Sequence, residues 1–201
     1  MRKSCLAAVI LLSCMISVSA FAESPLSLRF LGTGQFAGNY ATFPSGTTNN
    51  ASVGAGFAIG MEGLYKVLPY LELGVGLQYQ FARQATFQGT SIGNFEFVPI
   101  YAVVRVPVEL GPVEPYLVGR IGYGFLSGDS TFTGSGLITL NGGLYFAAGG
   151  GIDYHLGSAF SIFAEAAYAL DDGSETVSVL STTTNTAYTG LNVSVGISIS
   201  L

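Results

Sequence analysis

Residues 191–201 read Leu191-Asn192-Val193-Ser194-Val195-Gly196-Ile197-Ser198-Ile199-Ser200-Leu201. Leucine, valine and isoleucine fall on one side of this stretch, and asparagine, serine and glycine on the other. A period of two is the mark of a β-strand with unlike faces. The segment also has the length, about nine to eleven residues, with which a tilted strand crosses a bilayer.

The same pattern recurs upstream. Two-faced segments run over roughly 26–36, 53–65, 69–83, 95–106, 114–126, 143–155, 159–170 and 188–201, eight in all. Their connections alternate in length. Residues 37–52, 84–94, 127–142 and 171–187 are long and rich in Thr, Ser, Asn and Gly, whereas 66–68, 107–113 and 156–158 are short. An even strand number with long loops at one end and short turns at the other describes an eight-stranded antiparallel up-and-down transmembrane barrel. No stretch beyond residue 22 is apolar enough for a membrane-spanning helix.

Charge placement distinguishes this barrel from a soluble sandwich. Strand parity puts Arg29, Glu62, Glu72, Arg105, Arg120, Asp153 and Glu165 on one face, together with many glycines. The opposite faces read Leu71-Leu73-Val75-Leu77-Tyr79-Phe81 and Val98-Ile100-Ala102-Val104-Val106. A sandwich packs its apolar faces together and turns its charges outward. An outward Arg or Lys at mid-bilayer costs about 2–4 kcal/mol, so in a membrane barrel the charged face is the lumen. Phe36, Tyr79, Phe81, Tyr123, Phe125 and Tyr168 project outward near the long loops, and Tyr154 and Phe160 near the short turns. Such rings favour the headgroup regions.

Composition agrees. Of 201 residues 49% are hydrophobic and only 9% charged, against about a quarter charged in an ordinary globular chain. That excludes intrinsic disorder. Seven basic residues against twelve acidic, with no basic cluster, argue against a nucleic-acid partner. Residues 1–22 read as a secretory signal peptide: Arg2 and Lys3, an apolar run from Cys5 to Val18, then Ala20-Phe21-Ala22 before the expected cut at Glu23. The barrel domain is then 23–201. Removal of the leader leaves 7 − 2 = 5 basic residues against 12 acidic, a net charge of −7. Both cysteines, Cys5 and Cys14, go with it, so no disulfide framework is available.

Pro115-Tyr116-Leu117-Val118-Gly119 with Gly122-Tyr123-Gly124, Gly149-Gly150-Gly151-Ile152-Asp153-Tyr154, Glu165 with Tyr168, and Val98-Pro99 before Arg105 together resemble the OmpA-like family of small outer-membrane β-barrel proteins. The resemblance spans the chain beyond the leader. It implies a monomeric barrel without a cofactor, surrounded by outer-membrane lipid and lipopolysaccharide. Ser194, Gly196, Ile199 and Leu201 resemble the C-terminal signal read by barrel-assembly machinery, with leucine where phenylalanine is usual. The family includes scaffolds, adhesins and narrow pores, so fold alone does not give function.

An eight-stranded barrel is only just wide enough for its own side chains. Neighbouring strands suggest the pairs Arg29 with Glu62, Glu72 with Arg105, and Arg120 with Asp153, leaving Glu165 to an arginine across the lumen. Such a network fills and stiffens the barrel. The alternative is a gate, with Phe97, Tyr101 and Tyr145 lining a path for small ions or hydrophobic solutes. His155, the only histidine, lies near Ser158 and Asp153 at a short turn, where a catalytic geometry is seldom met. Asp171-Asp172-Gly173-Ser174-Glu175 reads as a solvated acidic loop without the spacing of a calcium-binding loop. Metal and catalytic sites are therefore not expected. Tyr40, Phe43, Phe87 and Phe132 in the long loops are candidate contacts for a surface ligand, since loops on rigid scaffolds carry binding.

Overall fold

The computed structural model describes residues 25–43, 49–87, 89–130, 138–177 and 182–201. Ten strands form eight staves. β1 (Leu26–Gln35) and β2 (Gly38–Phe43) make the first, interrupted at Phe36 and Ala37. β3 (Asn49–Val53) and β4 (Gly56–Leu68) make the second, interrupted at Gly54 and Ala55. β5 (Leu71–Phe87), β6 (Thr90–Pro107), β7 (Val113–Gly128), β8 (Ile138–His155), β9 (Phe160–Val177) and β10 (Thr182–Ser200) follow in order. Every pairing is antiparallel. β10 returns to β1 (Arg29 opposite Ser198) and to β2 (Tyr188 opposite Tyr40), which closes an eight-stranded barrel.

The outside is apolar. Val75 is 68% exposed and Leu117 67%, although both lie mid-strand. Arg29, Glu62 and Arg120 are buried instead. Of the aromatic residues that parity turns outward, Phe36, Phe81, Tyr123, Phe125, Tyr154, Phe160 and Tyr168 are exposed, and Tyr79 is half-buried with its hydroxyl donating to Glu96 at 3.0 Å. Close contact between staves and lumen depends on missing side chains. A Cβ on Gly122 would collide with the carbonyl oxygen of Ile100 and with Tyr101.

The staves run further than the sequence suggests at the long-connection end. The expected loop 84–94 is mostly hairpin, since β5 continues to Phe87 and β6 begins at Thr90. Likewise 171–187 is strand to Val177 and again from Thr182, and 37–52 carries β2 and most of β3. The reason is physical. Above the bilayer the outer face no longer needs apolar residues, so the period-two hydrophobic signal fades while backbone pairing continues.

Register shifts occur in the β4–β5, β5–β6 and β8–β9 seams, and the one in β5–β6 changes what faces the lumen. The β5–β6 ladder skips Gln78 and Tyr79 opposite Pro99 and Val98, then shifts register between Gln80 and Arg83. Pro99 has no N–H to offer a ladder. The shift turns Arg83 into the lumen, where unbroken alternation from Gln80 would place it outside.

Candidate functional site

The chemistry-bearing side chains converge in the lumen. Near the short-turn end, Arg105 donates to Glu72 (2.7 Å), to Glu114 (2.8 Å) and to Asp153. Deeper, Arg29 meets Glu62 at 3.3 Å, Asp153 at 3.5 Å and Glu165 at 3.8 Å. Arg120 Nε donates to Glu62 at 2.7 Å, and its terminal nitrogens donate to Glu165 at 2.6 and 3.1 Å. Carboxylates and guanidinia thus alternate along one connected chain. Burial makes such pairing obligatory, because an isolated charge in this interior is strongly destabilising.

All seven residues of the predicted lumenal set lie in this chain. The pairs Arg29–Glu62 and Glu72–Arg105 form. The Arg120–Asp153 pair does not. In the β7–β8 ladder Asp153 is opposite Glu114 and Arg120 is opposite Ala147, six rungs away. Arg105 and Arg29 therefore take Asp153, and Arg120 reaches across to Glu62 and Glu165.

Several participants were missed in the sequence. Tyr116 accepts a hydrogen bond from Arg29 at 2.7 Å and donates one to Glu165 at 3.2 Å, and Tyr101 donates to Glu62 at 3.1 Å. Glu114 shares the parity of Arg120, so its inward position was readable. Asp171 shares the parity of Glu165 but fell just beyond the expected strand end. It is buried and accepts from Gln80, which in turn accepts from Gln35 at 2.7 Å. Arg83 was hidden by the register shift. It donates to the carbonyl oxygens of Phe36 (3.0 Å) and Gly54 (2.8 Å), the groups released by the two stave interruptions. Its guanidinium lies 4.2 Å from the Tyr188 ring. Among the described residues the lumen thus holds four arginines and six carboxylates.

Above these layers an apolar cluster crosses the lumen: Val53, Ala85, Phe95, Phe97, Leu126 and Tyr188, with Leu140 packed against it. Five staves supply its buried members, so the cluster draws on most of the barrel's circumference. Below the charge chain a vestibule of about 840 Å³ opens at the short-turn end. Lys66 and Glu109 pair at its rim at 2.6 Å, and that hydrogen bond holds the Glu109 carboxyl below its ordinary pKa.

His155 lines the vestibule but does not join Ser158 and Asp153. Its Nδ1 lies 3.1 Å from Ser161 Oγ, its Nε2 3.6 Å from Glu114, and Asp153 is occupied by Arg105. The acidic run at 171–175 is strand rather than loop. Asp171 faces the lumen, while Asp172 accepts from the Gly173 amide at 2.9 Å. Among the described residues no group of three or more histidine, cysteine or acidic side chains is arranged to hold a metal. The side chains of Tyr40, Phe43 and Phe87, and all of Phe132, lie outside the described residues.

Comparison with known proteins agrees with this architecture. Residues 7–198 match the outer membrane protein beta-barrel domain. The chain belongs to that family. Its members sit in the outer membrane, so the apolar exterior is the lipid-facing surface of an outer-membrane β-barrel. Among solved structures, the outer membrane protein OprG from Pseudomonas aeruginosa is similar with a TM-score of 0.65 at 13% identity, covering 89% of this chain and 96% of that one. Neisserial surface protein A is similar with a TM-score of 0.49 at 15% identity, covering 86% and 97%. At such identities the likeness extends to the fold alone. No curated protein matches the chain.

Proposed function

We propose that this outer-membrane β-barrel is a non-enzymatic structural or surface-interaction protein, adhesin-like in role, with a lumen plugged by its ion-pair network. The observation that carries the reading is the connected chain of Arg29, Arg105 and Arg120 with five carboxylates, all held within hydrogen-bond or ion-pair distance across a narrow bore. Moving an ion through it requires breaking several buried pairs at once, at a cost of several kcal/mol each. Partner binding then falls to the extended staves and the connections that top them.

The test is single-channel recording of the refolded barrel in a planar bilayer, beside a Glu72→Gln/Arg105→Met variant. Silence from both, with a compact folded band on unheated SDS gels, supports a plugged scaffold. Discrete openings that the variant enlarges establish the second reading, a narrow channel or carrier for small ions or hydrophobic solutes. That reading draws on the inward aromatic side chains of Phe97, Tyr101 and Tyr145, all buried in the bore.

Three further roles belong to the same proposal. Residues 1–22 act as a cleaved leader, which N-terminal sequencing of the membrane-resident protein tests at Glu23. Ser194, Gly196, Ile199 and Leu201 act as the signal for barrel-assembly machinery before closure. In the folded barrel Ser194 bonds Thr33 at 2.8 Å, so the signal is read before this stave joins β1. The protein works as a monomer among outer-membrane lipid and lipopolysaccharide, and needs no cofactor.

A further inference from the structure

Beside the ion-pair network the lumen contains a small cavity with about 10 Å³ of room for the centre of a water molecule. That is space for one such molecule. Its polar lining comes from Thr33, Gln78, Asn192 and Ser194, with Arg120 and Glu165 of the network and the phenols Tyr101 and Tyr145.

Two acceptors on this wall lack donors. Asn192 is 5% exposed, and its Oδ1 has no hydrogen-bond partner. Gln78, also 5% exposed, donates its Nε2 to Thr33 Oγ1 at 3.1 Å, which leaves Oε1 without a partner. The reach from β5 to β1 passes Gly60 of β4, where a Cβ would press on the Gln78 side chain at 3.4 Å. Thr33 is itself bonded to Ser194 at 2.8 Å, so neighbouring hydroxyls already serve one another. Buried polar atoms in folded proteins are nearly always satisfied, by protein or by ordered water.

We infer that one water molecule is an integral part of the lumen at this point, donating one hydrogen to Gln78 Oε1 and the other to Asn192 Oδ1. The guest is water rather than a monovalent cation. Arg120 borders the same cavity, and Glu165, the one carboxylate there, already accepts two bonds from it. A cation would face a guanidinium with no free countercharge. Water also serves either orientation of the two amides, because it can accept as well as donate, whereas a cation serves only their oxygens. The molecule bridges Gln78 of β5 and Asn192 of β10 within the amide and hydroxyl cluster.

This inference rests on the closed-lumen reading, and the two fail in different ways. Conductance would refute closure; the cavity's content is read by diffraction. Crystals of the refolded barrel grown in rubidium chloride should show one oxygen-sized peak within about 2.7–3.2 Å of both amides, with no anomalous signal. An empty cavity at a resolution where other ordered waters are visible, or an anomalous rubidium peak there, overturns the assignment. In detergent micelles, the Gln78 side-chain amide should show cross-relaxation with a long-lived water that Asn192→Leu abolishes. Unchanged cross-relaxation in a folded Asn192→Leu barrel overturns it too.

Discussion

Replacing Arg120 with methionine removes three hydrogen bonds to two buried carboxylates while leaving the volume of the bore nearly filled. Glu62 keeps Arg29 at 3.3 Å and the Tyr101 hydroxyl at 3.1 Å. Glu165 keeps only Arg29 at 3.8 Å and Tyr116 at 3.2 Å. Breaking a buried pair by removing one partner costs about 3–5 kcal/mol, because the surviving charge is stranded. At about 1.4 kcal/mol for each factor of ten, the folded-to-unfolded ratio falls by roughly two to three and a half powers of ten. The assay is equilibrium unfolding in denaturant from lipid vesicles, followed by the loss of the compact band on unheated gels. The triple variant Arg120→Met/Glu62→Gln/Glu165→Gln should regain part of the loss, since neither former partner of Arg120 is left charged and Arg29 keeps Asp153 at 3.5 Å. A single variant within about 0.5 kcal/mol of the parent would refute the reasoning, because the network would then not be the plug described above.

Two glycines of β7, Gly122 facing the lumen and Gly119 facing outward with Leu117 and Ile121, make a paired prediction. Gly122→Ala must push against the Ile100 carbonyl and Tyr101, and should slow or prevent refolding, whereas Gly119→Ala meets nothing within 4 Å and should refold like the parent. Phe97→Ala, in the apolar layer where Phe97 and Phe95 pack edge-on at 5.8 Å, should cost about 3–5 kcal/mol in the same unfolding assay. At the vestibule rim, the Lys66 hydrogen bond lowers the Glu109 carboxyl, so its contribution is present above the unfolded value of about 4.3 and is lost as pH falls through the folded value. The pair is exposed, so Glu109→Gln should change stability at neutral pH by less than about 1 kcal/mol, and the difference between the proteins should vanish in acid.

Much of this architecture was legible. The alternation in 191–201 and its seven counterparts fixes the face of each strand. Parity alone brings Arg29, Glu62, Arg105 and Asp153 to the bore, because a one-residue error would place each of them in lipid. Legibility ends where the bilayer ends. Asp171 and the upper ends of β5, β6, β9 and β10 read as loop because nothing outside selects for apolar residues there. Arg83 was unreadable for another reason: a register shift beside Pro99 reverses the parity on which the reading depends. The Arg120–Asp153 pairing failed because sequence gives the face of a residue but not its height, and strand stagger sets these two six rungs apart.

Beyond residue 22 the chain contains five basic residues, and the fold places four of them inside. Arg29, Arg83, Arg105 and Arg120 are buried in staves hydrogen-bonded on both edges. A protease cleft must take its substrate as a free extended strand, and such staves offer none. Lys66 alone, at the short-turn end of β4, has a side chain as much as 39% exposed. Trypsin should therefore cut the unfolded chain after all five and the folded barrel after Lys66 at most, turning the inward placement of charge into a protease-resistance signature of correct assembly.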